Sequence, residues 1–333
     1  MKLTRIGKTA ATAVLAFLPL VTSAVAETQL RAISAWGESF TLVPHVFYAF
    51  EEAVTEASGG EITFSNVGPE AVPASEQLEP LSQGIFDVVF QSASYHQPQT
   101  GVALVIQNLL TADPEKLWSS GMIDHLNEYY RNKFGVIILA RVNSGPTTFV
   151  LGSPLEGDTK LTGRKIRTTS SSEGTVRALD GVPVSMAVAD AYVAMEKGAI
   201  DGMAFQAAFT AEYKLYEVAK YLTEPGFSQG GVLILMNAAK FDSLSPEMQE
   251  AIKKAGYDAS IKGSDYVAEQ VKAQTATMQE HGVQITAFNP EVQAQIKEID
   301  FEAAKEVARR SQPDDVDAMI KFAEEKGLLV TQQ

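Results

Sequence analysis

The sequence predicts a two-domain α/β protein built on mostly parallel sheets. Three observations carry this. The chain has 333 residues, too many for one simple core and enough for two domains. Hydrophobic residues make up 45% of it and prolines number only 14, which suits a packed globular chain rather than a disordered one. Apolar runs of strand length alternate with helical periodicity in the order β-α-β-α-β from residue 30 to residue 90, and that order implies a parallel sheet with helices on its faces.

Residues 1–26 stand apart from the fold. Lys2, Arg5 and Lys8 form a positive start, an apolar run follows from Ala10 to Val21, and Ala24-Val25-Ala26 has the small-x-small pattern of a cleavage site. This predicts a signal peptide cut before Glu27 and export to the periplasm. The apolar run is shorter than the roughly 20 residues that cross a bilayer, and no later stretch is long enough either. The mature chain is therefore expected not to span a membrane.

In the first domain, residues 30–35 read as a strand and Trp36-Gly37-Glu38 as the loop after it. Val43, Val46, Phe47, Phe50, Val54 and Ala57 fall at helical spacing, and Gly59-Gly60 supplies a stop. Residues 61–67 form a second strand, 78–83 a short helix and 85–90 a buried strand. Ligands in such sheets collect beyond the carboxyl ends of strands, here residues 36–38, 68–75 and 91–95. A second domain begins near Thr147, with strands at 147–151, 165–168, 182–186 and 200–205 and helices at 175–179 and 189–197. Residues 232–237 are an apolar strand able to cross back. Ser245-Pro246-Glu247 starts a helix with a cap, a proline at its first position and an acid in its first turn. No proline interrupts it before Pro290, so it is expected to run to about Glu280, on the order of 50 Å. Gly256 and Gly263 are points where it could bend. The expected division is residues 27–146 plus about 237–272 in lobe I, and 147–236 plus about 273–333 in lobe II.

Composition excludes several functions. The chain carries 41 acidic against 27 basic residues, a formal net charge of −14, and nucleic-acid binding requires a basic stripe that is missing here. There is no cysteine, which removes thiol nucleophiles, zinc–thiolate sites and iron–sulfur clusters. The four histidines, His45, His96, His125 and His281, form no His-Glu-x-x-His pattern. Ser170-Ser171-Ser172 lacks the Gly-x-Ser-x-Gly elbow, and no glycine-rich stretch forms a phosphate-cradling loop. Neither catalysis nor a cofactor nor a metal is expected.

The most telling stretch spans residues 163–203. Gly163-Arg164-Lys165-Ile166-Arg167, Val182-Pro183-Val184-Ser185-Met186, Asp190-Ala191-Tyr192-Val193-Ala194-Met195-Glu196-Lys197-Gly198 and Asp201-Gly202 follow one another. In order and spacing they resemble the signature of TRAP-transporter solute-binding proteins of the DctP type. The resemblance extends to residues 50–62, to Gly84–Phe90 as a Gly-x-x-Asp strand, and to the apolar strand and Leu-Ser-Pro of residues 233–246, so it covers nearly the whole mature chain. It implies a two-lobed periplasmic-binding-protein-like fold, with mixed, mostly parallel sheets, crossing strands and a long helix touching both lobes. It also implies that a small carboxylate is captured between the lobes and delivered to a small and a large permease subunit driven by an ion gradient. Arg167 matches the family's carboxylate-binding arginine, and a guanidinium forks onto a carboxylate through two parallel hydrogen bonds. A receptor for an ATP-driven importer or for a membrane sensor would use the same cleft, and neighbouring genes would separate these readings.

The chain departs from the family at Asp190, where many members have glutamate, and at Phe205-Gln206, where they often read Asn-Pro. The second arginine that some members carry about twenty residues before the first is missing, with Gly145 and Pro146 in that region. These departures argue against a multiply charged solute. The remaining candidate wall residues lie at strand ends: Trp36 and Glu38 after the first strand, Gln91, Ser92 and Tyr95 after the third, and Phe205 and Gln206 in the second domain. Trp36, Tyr95 and Phe205 suit an apolar body behind one carboxylate, while Gln91 and Ser92 suit solute hydroxyls. Glu38 would face solvent or meet an ammonium. Trp118 and the acidic residues Asp314 and Asp315 read as structure and solvated surface.

Overall fold

A computed structural model describes residues 27–155, 160–186 and 188–332, and the predicted signal peptide lies outside the described residues. Two sheets organise the chain. The first four strands are β1 (Thr28–Ser34), β2 (Ile62–Val67), β3 (Val88–Ser92) and β4 (Val136–Asn143). Next come β5 (Thr147–Leu151), β6 (Lys165–Thr168), β7 (Val182–Ser185), β8 (Gly202–Gln206) and β9 (Tyr221–Thr223), followed by β10 (Gly231–Asn237) and β11 (Gln284–Thr286). One sheet has the order β2-β1-β3-β10-β4 and the other β11-β9-β5-β8-β6-β7.

Both sheets are mixed. In the first, β1 pairs in parallel with β2 and β3, while β10 runs antiparallel to β3 and β4. In the second, β6 is parallel to β7 and β8, and β5 is antiparallel to β8 and β9. Parallel neighbours require crossover helices, which cover the faces and leave the strand ends free to hold a ligand.

The structure moves the expected domain boundary. The expected division puts residues up to 236 in lobe II while reading 232–237 as a strand able to cross back, and β10 sits inside the first sheet, where Ile234 faces Phe90 on one side and Ala140 on the other. All seven of its residues are buried, as a strand covered on both faces demands. The C-terminal stretch is likewise divided. Val292 and Ile296 pack with the second sheet, whereas Phe301, Val307, Val316 and Met319 pack with the first. Asp314 is exposed, and Asp315, its side chain 36% exposed, accepts from Lys133 Nζ at 2.6 Å and from the Tyr129 hydroxyl at 3.0 Å, as part of the solvated surface. The predicted strand at 85–90 starts only at Val88. Gly84, with φ of 71°, turns the chain, and Ile85 is left 50% exposed.

The chain changes sheets at 144–146, at 224–230 and again through the long helix that joins β10 to β11, and the first two segments are tied together. Ser144 N donates to Gly230 O at 2.9 Å, and Thr147 N donates to Phe227 O at 2.7 Å. The long helix is continuous over Pro246–Glu280, capped by Ser245 Oγ accepting from Met248 N at 3.3 Å. Gly256 and Gly263 do not break it. A Cβ at Gly256 would lie 2.1 Å from the Leu139 carbonyl oxygen, and one at Gly263 would lie 2.9 Å from Val142 Cγ1. These glycines let the helix lie directly on β4, where Ser260 and Ser264 hydroxyls accept from the backbone N–H groups of Arg141 and Asn143. No helix among the described residues is long and apolar enough to cross a membrane.

Candidate functional site

The carboxyl ends of β1 and β3 face those of β6 and β8 across a cavity lined from both sheets. Its volume is about 110 Å³, against the roughly 10–15 Å³ that a single water requires, so a solute of many atoms fits. Trp36 and Tyr95 enter from the loops after β1 and β3, and Ser92 closes β3 itself. Arg167 enters from β6, and Phe205 and Gln206 from the end of β8.

Arg167 is the charge of this site. It is 8% exposed, and its Nε donates to the Met186 carbonyl at 3.0 Å. That bond holds the stem and leaves the terminal nitrogens without a protein partner among the described residues. Burial pulls the guanidinium below its ordinary pKa, an effect opposed by the Tyr95 and Tyr213 phenols. Arginine stays cationic through such a shift. The chain then turns into the helix Ser170–Ala178, and Thr169, Ser171 and Ser172 at its start also line the cavity. Unpaired N–H groups at a helix start add to the attraction for an anion.

Aromatic rings make up much of the remaining lining. Trp36 lies 4.9 Å from Phe40 and 6.0 Å from Tyr95 between ring centroids, and Phe205 meets Tyr213 edge-on at 5.3 Å. Burial, followed by the nearby Glu212, pushes the Tyr213 phenol up to about 12. Burial also raises Tyr95, while a hydrogen bond from Trp36 and the Arg167 charge pull it the other way. Beside these rings runs a polar strip. Ser92 Oγ lies 2.9 Å from Ser94 Oγ and donates to Gln107 Oε1 at 3.2 Å, and Ser144 follows at the crossing segment.

Two predicted wall residues fall outside the cavity. Gln91 precedes Ser92 in β3, and neighbouring strand residues point to opposite faces. Its side chain is therefore buried on the other face, 3.5 Å from His96 Nδ1. Glu38 is exposed and accepts from the Tyr48 hydroxyl at 3.0 Å. Ser94, Gln107, Ser144 and Tyr213 went unpredicted. Ser94 carried a usable signal, since it lies in the strand-end loop 91–95, and Ser171 and Ser172 follow the β6 end. Gln107 and Tyr213 carried none, because no strand precedes them.

Comparison with known proteins is consistent with this geometry. The sequence pattern of bacterial extracellular solute-binding protein family 7 (DctP) matches residues 34–311. The 2,3-diketo-L-gulonate-binding periplasmic protein YiaO of Escherichia coli K12 is 30% identical over 135 residues, 40% of this chain and 41% of that protein. The aligned stretch is thus less than half the length of that relative. Among solved structures, the fold resembles DctP7 of Bordetella pertussis, an extracytoplasmic solute receptor binding pyroglutamic acid, with a TM-score of 0.77 at 16% identity, covering 89% of this chain and 99% of that one. A TRAP periplasmic solute-binding protein from Desulfovibrio salexigens with bound orotic acid also scores 0.77, at 17% identity, over 90% of this chain and 98% of that one. With the family pattern matched over most of its length and the same two-sheet fold, the chain belongs to the bacterial extracellular solute-binding proteins of family 7.

Proposed function

We propose that this protein is a periplasmic receptor that captures a small organic acid between its two sheets and hands it, chemically unchanged, to a TRAP permease. The permease would consist of a small and a large membrane subunit. One observation carries the reading: a buried arginine, free of any carboxylate partner among the described residues, lines a cavity bounded from both sheets. A desolvated cation of this kind is costly unless an anion completes it. The solutes named for three similar proteins, diketogulonate, pyroglutamic acid and orotic acid, are all carboxylic acids, and this supports the same class here.

Capture follows from differential binding. A solute held by Arg167 on one side and by Trp36 and Ser92 on the other favours the closed arrangement of the sheets over the open one. The crossing segments 144–146 and 224–230 are where such closure would bend the chain. The membrane partner would then read the closed state.

Mass spectrometry of the solute that co-purifies with the protein, backed by a thermal-shift screen of organic acids on stripped protein, tests the proposal. A true ligand at a hundred times its dissociation constant stabilises the fold by about 2.7 kcal/mol. Stripped protein that stays unshifted across a broad set of mono- and dicarboxylates would refute it.

A further inference from the structure

We infer that the cavity selects monoanions: a carboxylic acid whose remaining polar groups are neutral hydroxyl or oxo groups, with dicarboxylates and zwitterions rejected. This rests on the receptor reading above and narrows it. Among the described residues that line the cavity, Arg167 alone carries a full charge at neutral pH, and none is acidic. Tyr95 and Tyr213 remain protonated, since burial raises both phenols. The site thus supplies one positive charge and no negative one.

The acids nearest in sequence to the lining residues do not line the cavity. Glu38 accepts from Tyr48, Glu173 pairs with Arg177 and Arg310, and Glu212 accepts from the Thr41 backbone N–H at 3.1 Å through one oxygen while its other oxygen is buried without a hydrogen bond from a described residue. An ammonium entering the cavity would lose its water without gaining a carboxylate. A second carboxylate would meet the same difficulty with opposite sign. The groups left to receive it are Ser94, Gln107 and Ser144, buried at 8%, 3% and 3% exposure, and the Thr169–Ser172 helix start that already serves the Arg167 side, and none of them carries a full charge. Neutral donors satisfy a hydroxyl or an oxo group at a smaller desolvation cost than a second ion.

The polar strip has capacity for such neutral groups. Gln107 spends its carbonyl oxygen on Ser92, so its amide N–H groups are the donors it offers the cavity. Ser144 Oγ has no hydrogen bond from a described residue, although its backbone N–H is taken by Gly230. A solute with one carboxylate on Arg167 and oxygen substituents toward this strip would satisfy both sides.

Calorimetric titration of stripped full-length protein with matched probes tests the inference. One frame is lactate, malate and alanine, in which a carboxylate is added or the hydroxyl becomes an ammonium. Others are galacturonate against galactarate and pyroglutamate against glutamate. The expected result is that at least one monocarboxylate binds, and that its dianionic or zwitterionic counterpart binds at least about 100-fold more weakly. Lowering the pH toward the second carboxyl's own pKa should then strengthen the dicarboxylate and leave the monocarboxylate nearly unchanged. A dianion or zwitterion binding within about tenfold of its monocarboxylate partner overturns the selectivity and leaves the receptor standing. Failure of every carboxylate in every frame and across the broad thermal-shift set overturns the receptor reading together with it.

Discussion

Replacing Arg167 separates recognition from folding, because the two respond in opposite directions. The only hydrogen bond this side chain makes to a described residue is from Nε to Met186 O at 3.0 Å, so little of the fold depends on it. The proposed carboxylate contact, by contrast, would use its terminal nitrogens. In Arg167→Lys the charge remains, but the planar two-point contact becomes a single one. Losing one charge-assisted hydrogen bond costs about 1.5–3 kcal/mol, which is roughly 10- to 150-fold in affinity. In Arg167→Met the bound carboxylate has no counter-charge at all, and the cost rises to at least about 3 kcal/mol. The empty protein should meanwhile melt at the same temperature or higher, since a desolvated charge is removed. Calorimetric titration with the co-purifying solute and thermal melts of ligand-free protein measure both effects. Affinity within about twofold of wild type in folded Arg167→Lys, well under 1 kcal/mol, would place the anion elsewhere and defeat the reasoning. So would a large drop in the melting temperature with unchanged affinity.

Two further outcomes are expected. Trp36 and Trp118 are the only tryptophans, so in Trp118→Phe the emission reports on Trp36 alone. Saturating solute should shift that emission and shield it from a soluble quencher, and unchanged spectra would remove Trp36 from the solute contact. Asp300 is 1% exposed, accepts from Thr175 Oγ1 at 2.5 Å, and is raised from 3.8 to about 7, chiefly by burial. Because the folded state holds this proton where the unfolded chain has released it, stability should fall as pH rises from about 4 to about 7, by up to about 4 kcal/mol. Asp300→Asn should remove most of that fall. Glu51, raised to about 7 by burial, leaves a residual slope of the same sign. Denaturant titrations at the two ends of this window that show equal slopes in variant and wild type would rule out Asp300 as the source.

Much of the fold was legible because it rests on local physics. The start of the long helix was written in Ser245-Pro246-Glu247, and its length in the lack of any proline before Pro290. The β6 strand was legible in the same way, and with it the position of Arg167 near a strand end. Spacing alone marked the two glycines of the helix as weak points. Only the structure made them contact points, since the approach to Leu139 and Val142 depends on which strand lies beneath.

The sequence by itself determined the α/β character of the chain and most of its strand ends, and it singled out Arg167 as the arginine to test. Tertiary structure decided which strand-end residues meet. Alternation says that Gln91 and Ser92 point to opposite faces, but not which face is the cavity, because the phase comes from pairing with β10. That strand arrives from a segment about 140 residues later in the chain. Gln107 and Tyr213 belong to no strand end, and Ser144 lies on a crossing segment. They line the cavity together with strand-end residues of both sheets. Local sequence encodes periodicity and capping, whereas the composition of a cleft between sheets depends on contacts between residues far apart in the chain, which periodicity does not record.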